Sequence, residues 1–229
     1  MGANEDAPKP MTLVVALFNQ DEIVLAGDTL AMDSSCQRLS KPFHKLKPLG
    51  RHVFSASGAS VGFDPYESLL SSGLEVHQDI HLAAGQVSSA MYDEYAKRGY
   101  DADQTANCLL AGFGKDDQAM VYCWKLPTPR GPCSQARQYA TVGAPDAPAI
   151  CFLPLFHREE MTTDQRIQLA HFCLTRAGFS DVRVGDPRRG YPIDIVRVTI
   201  EGIKVYAQDE LRPFIDKNDA IVATIASQF

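Results

Sequence analysis

No run of apolar residues in this chain is long enough to cross a bilayer, so a membrane-spanning helix is not expected. The opening residues, Met1-Gly2-Ala3-Asn4-Glu5-Asp6, have neither the basic nor the apolar region of a signal peptide. Gly2 does not read as a myristoylation site, because Asp6 stands where Ser or Thr is wanted. A cytoplasmic protein is expected. Positive charge is in short supply too. Lys and Arg number 22 against 28 Asp and Glu, and the net charge of -6 gives no electrostatic reason to expect nucleic acid or an anionic membrane as partner. The six cysteines form no CxxC pair and do not combine with His at zinc-finger spacing, so no metal site is expected. Cys108, Cys123 and Cys173 lie inside apolar runs and read as small buried hydrophobes in a reducing compartment. Gly112-Phe-Gly114-Lys115 lacks the spacing and the following Ser or Thr of a phosphate loop. His77 and His81 are four apart, but no Glu follows His77 as a zinc-hydrolase helix would require. No internal repeat, low-complexity segment or domain boundary is evident.

What is present is a chain of 229 residues, 45% apolar and 22% charged, enough to bury a substantial core. Residues 1–11 read as an N-terminal extension or propeptide, and 12–229 as one domain. Thr12–Phe18 and Glu22–Asp28 are apolar on both faces, as strands buried on both sides are, and Asn19-Gln20-Asp21 makes a hairpin turn between them. Lys45–Leu49 and His52–Ser57 predict a second strand pair. Val87, Ala90, Met91 and Tyr95 mark one face of a helix that ends before Gly99. Strands are predicted at Asn107–Gly112, Ala119–Trp124 and Gln138–Val142, with a Pro/Gly-rich loop over Pro127–Pro132. Thr162-x-x-Gln165 is a capping box, and Gly178 suits the C-terminal cap of the helix it opens. Strands near Ile193–Ile200 and Ile203–Ala207 follow, then a short helix with Leu211, Phe214 and Ile215. Strands, two helices, strands, two helices and strands predict two antiparallel sheets packed together with helices outside.

The chemistry centres on Thr12. A threonine hydroxyl is a poor nucleophile unless a base takes its proton. A free α-amine, with a pKa of roughly 7.7–8.0, can do so near neutral pH, and an internal amide nitrogen cannot. Thr12 becomes a nucleophile only if the Met11–Thr12 bond is cut, or if translation starts at Met11 and that Met is removed. Otherwise it is the first residue of a strand. Taken singly, Asp28, Lys45 and Gly58 are equally ordinary: a strand-end residue, one lysine among several, and a turn glycine.

Taken in order they are not. Thr12, then Val-Leu-Ala-Gly-Asp28 sixteen residues on, then His44-Lys45-Leu46, then Ala56-Ser57-Gly58, resembles the proteasome β-subunits and their bacterial HslV-type relatives. Asp186-Pro-Arg-Arg-Gly190 resembles the family's Asp-x-x-Ser-Gly segment, and roughly the whole chain from Thr12 can be laid on the pattern. The resemblance implies an α+β fold, the four-layer αββα sandwich of N-terminal-nucleophile hydrolases, and a threonine-type endopeptidase acting through an acyl ester without metal or cofactor. It implies that Thr12 is the nucleophile, and that Lys45 favours its alkoxide. Asp28 would orient Lys45, the Gly58 N–H, with Ala59, would bind the oxyanion, and Asp186 would belong to the network around the terminal amine. Ala56 falls where the specificity pocket is shaped. Partners implied are a peptide or unfolded-protein substrate, further copies of the chain in a ring-shaped homo-oligomer, and an unfolding ATPase.

The sequence also departs from that pattern. Gly143-Ala144-Pro145-Asp146 replaces a Gly-Ser-Gly turn, and Arg189 replaces the Ser of Asp-x-x-Ser-Gly, so two hydroxyls of the amine's network are gone. Leu13 stands where many relatives carry a second Thr. A non-catalytic ring subunit, or an amidase or peptide ligase on the same fold, are the alternatives these changes leave open.

Overall fold

The computed structural model describes residues 12–31, 41–101, 104–128, 133–143, 148–181 and 184–227. Residues 1–11 and Ala144-Pro145-Asp146 lie outside the described residues, and with them the extension and the altered turn.

Among the described residues, ten strands form two five-stranded sheets in which all neighbours are antiparallel. The first sheet has the order β10 (Gly202–Val205), β9 (Ile193–Thr199), β2 (Ile23–Asp28), β1 (Leu13–Phe18) and β8 (Tyr139–Gly143). The second runs β3 (Lys47–Leu49), β4 (His52–Ala56), β5 (Ala106–Phe113), β6 (Ala119–Leu126) and β7 (Ser134–Gln135). Every residue of β1 and β2 is buried, as two-sided apolar strands require. Alternate residues of these strands feed two cores. Val14, Ala16, Ile23 and Leu25 pack between the sheets with Val53, Leu109 and Val121. Leu13, Val15, Leu17, Val24 and Ala26 pack outward against α4 (Thr163–Ser180). A third core lies between the second sheet and helices α1 (Asp64–Ser71) and α2 (Ile80–Arg98). With α3 (Leu153–Phe156) and α5 (Arg212–Ala226) beside α4, the layers are helix, sheet, sheet, helix. Among the described residues no helix is long and apolar enough to cross a membrane.

The capping box of α4 forms as read: Thr162 Oγ1 accepts from the Gln165 N–H, and the Gln165 side chain accepts from the Thr162 N–H. Gly178 does not cap the helix, which runs on to Ser180. The backbone of Gly185 crosses the helix there, and a Cβ on Gly178 would stand 2.4 Å from the Gly185 carbonyl oxygen. The terminal helix has fifteen residues rather than being short. Its buried Asn218 continues the stripe begun by Phe214, and a polar residue on the inner face hides the period from a count of apolar positions. The strand expected from Lys45 begins at Lys47, and β7, a two-residue edge strand, had no pattern to announce it.

Glu22 locks the start of β2. Its buried carboxylate accepts from Arg166 Nη1 (2.7 Å), Arg197 Nε (2.7 Å) and Thr163 Oγ1, so one side chain ties β2 to the first turn of α4 and to β9.

Candidate active site

The other end of β2 carries the expected residues. Asp28 is fully buried and accepts four hydrogen bonds. Its Oδ1 accepts from the Leu13 N–H (2.7 Å) and from Lys45 Nζ (2.9 Å). Its Oδ2 accepts from the N–H groups of Leu30 (3.2 Å) and Gly185 (3.0 Å). A carboxylate offers about four lone-pair sites, and all four are used. Thr12, buried at the entry to β1, is thereby held through its neighbour Leu13 against the same oxygen that receives the Lys45 ammonium.

Three further contacts place these groups. The Phe43 N–H donates to the Thr29 carbonyl (2.9 Å), laying the segment that carries Lys45 along the end of β2. Thr29 Oγ1 donates to the Pro192 carbonyl (2.7 Å), fixing the approach to β9. Gly143 pairs with Leu13 at the end of β8, with φ of 109°, and a Cβ there would fall 1.4 Å from the Thr12 carbonyl oxygen. No other residue could sit so close to the Thr12 backbone.

Lys45 is buried, and the acids Asp28 and Asp194 act on its charge. Burial pulls its pKa below the ordinary lysine range, while the charge and hydrogen bond of Asp28 and the charge of Asp194 oppose that pull. Asp194 is absent from the sequence reading. It lies on β9 opposite Gly27 and is held by His44 Nδ1, 2.8 Å from Oδ2 and 3.1 Å from Oδ1. Burial pushes the Asp194 carboxyl up, the His44 bond and the charges of His44 and Lys45 pull it down, and Asp28 adds repulsion; the net displacement is upward. Alternation along a strand would turn His44 away from Lys45. The two residues precede β3 rather than belong to it, and both approach the carboxylates.

Gly58 follows β4 at φ of 74°, where glycine is favoured, and its carbonyl accepts from the Gly62 N–H (2.7 Å) to open a π-helical turn, Ala59–Phe63. Among the described residues none accepts a hydrogen bond from the Gly58 N–H. Ala56 is fully buried, and a Cβ on Gly62 would come within 2.6 Å of its Cβ, so the turn packs directly over it.

Asp186 is buried, but its carboxylate is occupied by Arg188. Arg188 Nη2 donates to Oδ2 (2.9 Å), and Arg188 Nε (3.1 Å) and the Arg188 N–H (3.0 Å) donate to Oδ1. Arg189 Nε lies 3.7 Å from Oδ2. Burial disfavours its charge, yet these arginine bonds and charges outweigh it and hold the carboxyl below its ordinary range. Asp186 reaches the Asp28 cluster only through its neighbour Gly185. The structure thus joins Leu13, Asp28 and Lys45 by direct bonds and brings Asp194 and Gly185 to them. Gly58 and Asp186 make no direct bond to that cluster among the described residues. Neither Asp194 nor Gly185 carried a signal in the sequence, since each meets the site across more than 140 residues of chain.

Two solved structures share this architecture. Anbu (ancestral beta-subunit) from Yersinia bercovieri superposes with a TM-score of 0.77 at 17% identity, covering 95% of this chain and 97% of its own. An Anbu (Gly-1) mutant from Hyphomicrobium sp. strain MC1 gives 0.73 at 17% identity, covering 95% and 96%. At that identity the likeness is one of fold. No curated protein matches the sequence. The family model for the proteasome subunit matches residues 11–187, which takes in Thr12, Asp28, Lys45, Gly58 and Asp186, and the chain belongs to the proteasome subunit family.

Proposed function

We propose that this chain is a threonine-type endopeptidase whose nucleophile is Thr12 after removal of residues 1–11. The observation that carries the reading is the shared oxygen of Asp28: one atom fixes the Leu13 N–H next to the nucleophile and the buried Lys45 ammonium. A lone buried lysine would be costly to keep, and a carboxylate with four donors arranged around it is a strongly determined site.

The steps follow from these groups. The freed α-amine of Thr12 takes the proton of its own hydroxyl as Oγ attacks the peptide carbonyl carbon. The Lys45 charge favours the developing alkoxide, and the Gly58 N–H donates to the tetrahedral oxyanion. The carbon–nitrogen bond breaks as the ammonium returns its proton to the leaving amine. Water, deprotonated by the same amine, then attacks the Thr12 ester and restores the hydroxyl. Substrates are peptides or unfolded proteins. Proteasome-family members form ring-shaped assemblies, and we infer a homo-oligomeric ring for this chain, with an unfolding ATPase as its feeding partner.

One observation favours a second reading, a non-catalytic ring subunit. The Asp186 carboxylate is engaged by Arg188 and approached by Arg189, which stands where the family pattern has a serine. Intact mass of the protein made in cells, beside Thr12→Ala, separates the two. The peptidase reading expects wild type to begin at Thr12 and the variant to keep residues 1–11. Retention of those residues by both leaves the amine blocked and favours the structural subunit. If both begin at Thr12, covalent labelling of Thr12 by a peptide β-lactone decides, with the wild type acylated and the variant not.

A further inference from the structure

A lysine ammonium buried beside one carboxylate is incompletely compensated when that carboxylate is itself shared. Asp28 spreads its charge over three backbone N–H groups besides Lys45. A second acid lies alongside. Asp194 faces Gly27 across the β2–β9 ladder, one register pair from Asp28. Gly27 presents no side chain, and the space over it is filled by Val14 and Leu46, the latter being the residue after Lys45. The segment carrying His44 and Lys45 therefore passes directly over the Gly27–Asp194 pair, with His44 bonded to Asp194 and Lys45 bonded to Asp28.

The exposures argue that this is more than a surface pair. The His44 side chain is 66% exposed and that of Asp194 only 14%. An exposed imidazole gives a modest ion pair at best. Holding a second, largely buried carboxylate beside Asp28 is unfavourable in itself, and it is offset by the bond and charge of His44 and then by the Lys45 ammonium. The charged groups facing Asp194 are His44 and Lys45 from the segment before β3 and Asp28 from β2.

We propose that Asp194, gripped by His44, is a positioning residue for Lys45, the second acid that keeps its ammonium charged and seated at the Asp28 carboxylate. The consequence for turnover rests on the peptidase reading above; the link between Asp194 and Lys45 rests on the adjoining register of Asp194 and Asp28 and on the one segment that bonds to both.

The two are tested separately on the full chain. The Lys45 titration is followed by NMR of protein labelled with 13Cε-lysine, the resonance being assigned by its loss in Lys45→Arg. Asp194→Asn is expected to lower the Lys45 midpoint by about one pH unit, and Asp194→Glu, which keeps the charge, to restore most of it. Asp194→Ser removes the charge with a smaller side chain and serves equally if the amide variant does not fold. A midpoint unmoved in both uncharged variants overturns the proposal. In parallel, the pH profile of Thr12 acylation by a peptide β-lactone is recorded by intact mass. Its alkaline limb is expected to move down in step with Lys45, a loss of about tenfold on that limb. A uniform fall at every pH marks a merely structural role and overturns the positioning role. If wild type is never acylated, the peptidase reading fails, and the NMR midpoint still decides whether Asp194 holds Lys45.

Discussion

Gly143→Ala probes how tightly the candidate nucleophile is held. The new methyl would lie 1.4 Å from the Thr12 carbonyl oxygen, 2.4 Å from its carbon and 3.2 Å from the Leu13 nitrogen. An unforced carbon–oxygen approach is about 3.3 Å, so strand β8 or the Thr12 peptide must retreat by about 2 Å. The backbone at φ of 109° adds strain for any side chain, about 1–3 kcal/mol. Because Leu13 and Gly143 are the last pair of the β1–β8 ladder, the strain is expected to be relieved by opening that end while four pairs hold. The expected loss of stability is then about 2–4 kcal/mol, read by urea denaturation of the variant beside wild type. Displacement of a reacting group by about 1 Å can cost about 100-fold, so acylation of Thr12 by a peptide β-lactone is expected to slow by at least that factor. The substitution changes no charged residue and leaves the Lys45–Asp28 bond in place, although the Leu13 N–H bond to Asp28 is expected to shift with the Thr12 peptide. A variant within about 0.5 kcal/mol of wild type, acylated at a similar rate, would refute the claim that β8 fixes Thr12.

Two further perturbations have signs set by the structure. Lys45→Met leaves Asp28 buried with three backbone donors, whereas Asp28→Asn leaves Lys45 without its partner and turns an amide NH₂ toward N–H groups. Both are expected to destabilise by about 3–5 kcal/mol, with Asp28→Asn the more costly; urea denaturation giving the reverse order would contradict the bonding scheme. His171, buried between α4 and α5, accepts at Nδ1 from Asn218 Nδ2 (3.1 Å) and Thr175 Oγ1 (3.3 Å). Burial pulls its pKa from 6.5 to about 4, only partly opposed by Asp219. The unfolded chain therefore binds the proton first: the contribution is fully present above pH 6.5 and is lost as pH falls toward 4, at most about 3 kcal/mol. His171→Asn should flatten the fall in melting temperature over that window, and equal slopes would show that His171 does not carry it.

The residues that could be read from the sequence are those joined by local order. Thr12 and Asp28 bracket the hairpin of β1 and β2, which two-sided apolar runs announce, and Lys45 stands just before β3. Gly58 is an ordinary turn glycine taken singly, and only its place in the order of the motifs picks it out. What could not be read depends on contacts made across the chain. Asp194 reads as a polar residue in an alternating strand, and only the β2–β9 register sets it opposite Gly27. Gly178 looked like a helix cap because caps favour glycine; its actual reason is the crossing backbone of Gly185, whose N–H completes the shell of Asp28. Asp186 was legible as an acid in the right segment, but the role of its two arginine neighbours was visible only once Arg188 was seen to fold back onto it.

Strand β2 lies between two buried carboxylates, and their partners differ in a way that separates scaffold from chemistry. Glu22 is met by Arg166 and Arg197. Guanidinium groups stay charged at any relevant pH, so that end is a fixed electrostatic clamp on the register of β2. Asp28 is met by a lysine, whose charge responds to burial and to neighbouring acids, as the downward pull on Lys45 shows. An arginine at position 45 could keep the ion pair, but it would present a wide planar fork where lysine presents a compact ammonium. A compact cation joined through Asp28 to the residue after Thr12 suits the proposed nucleophile, whose developing alkoxide it would favour. The asymmetry of the two ends fits the reactivity proposed for the Asp28 end, and leaves the Glu22 end the task of keeping β2, and Asp28 with it, in register.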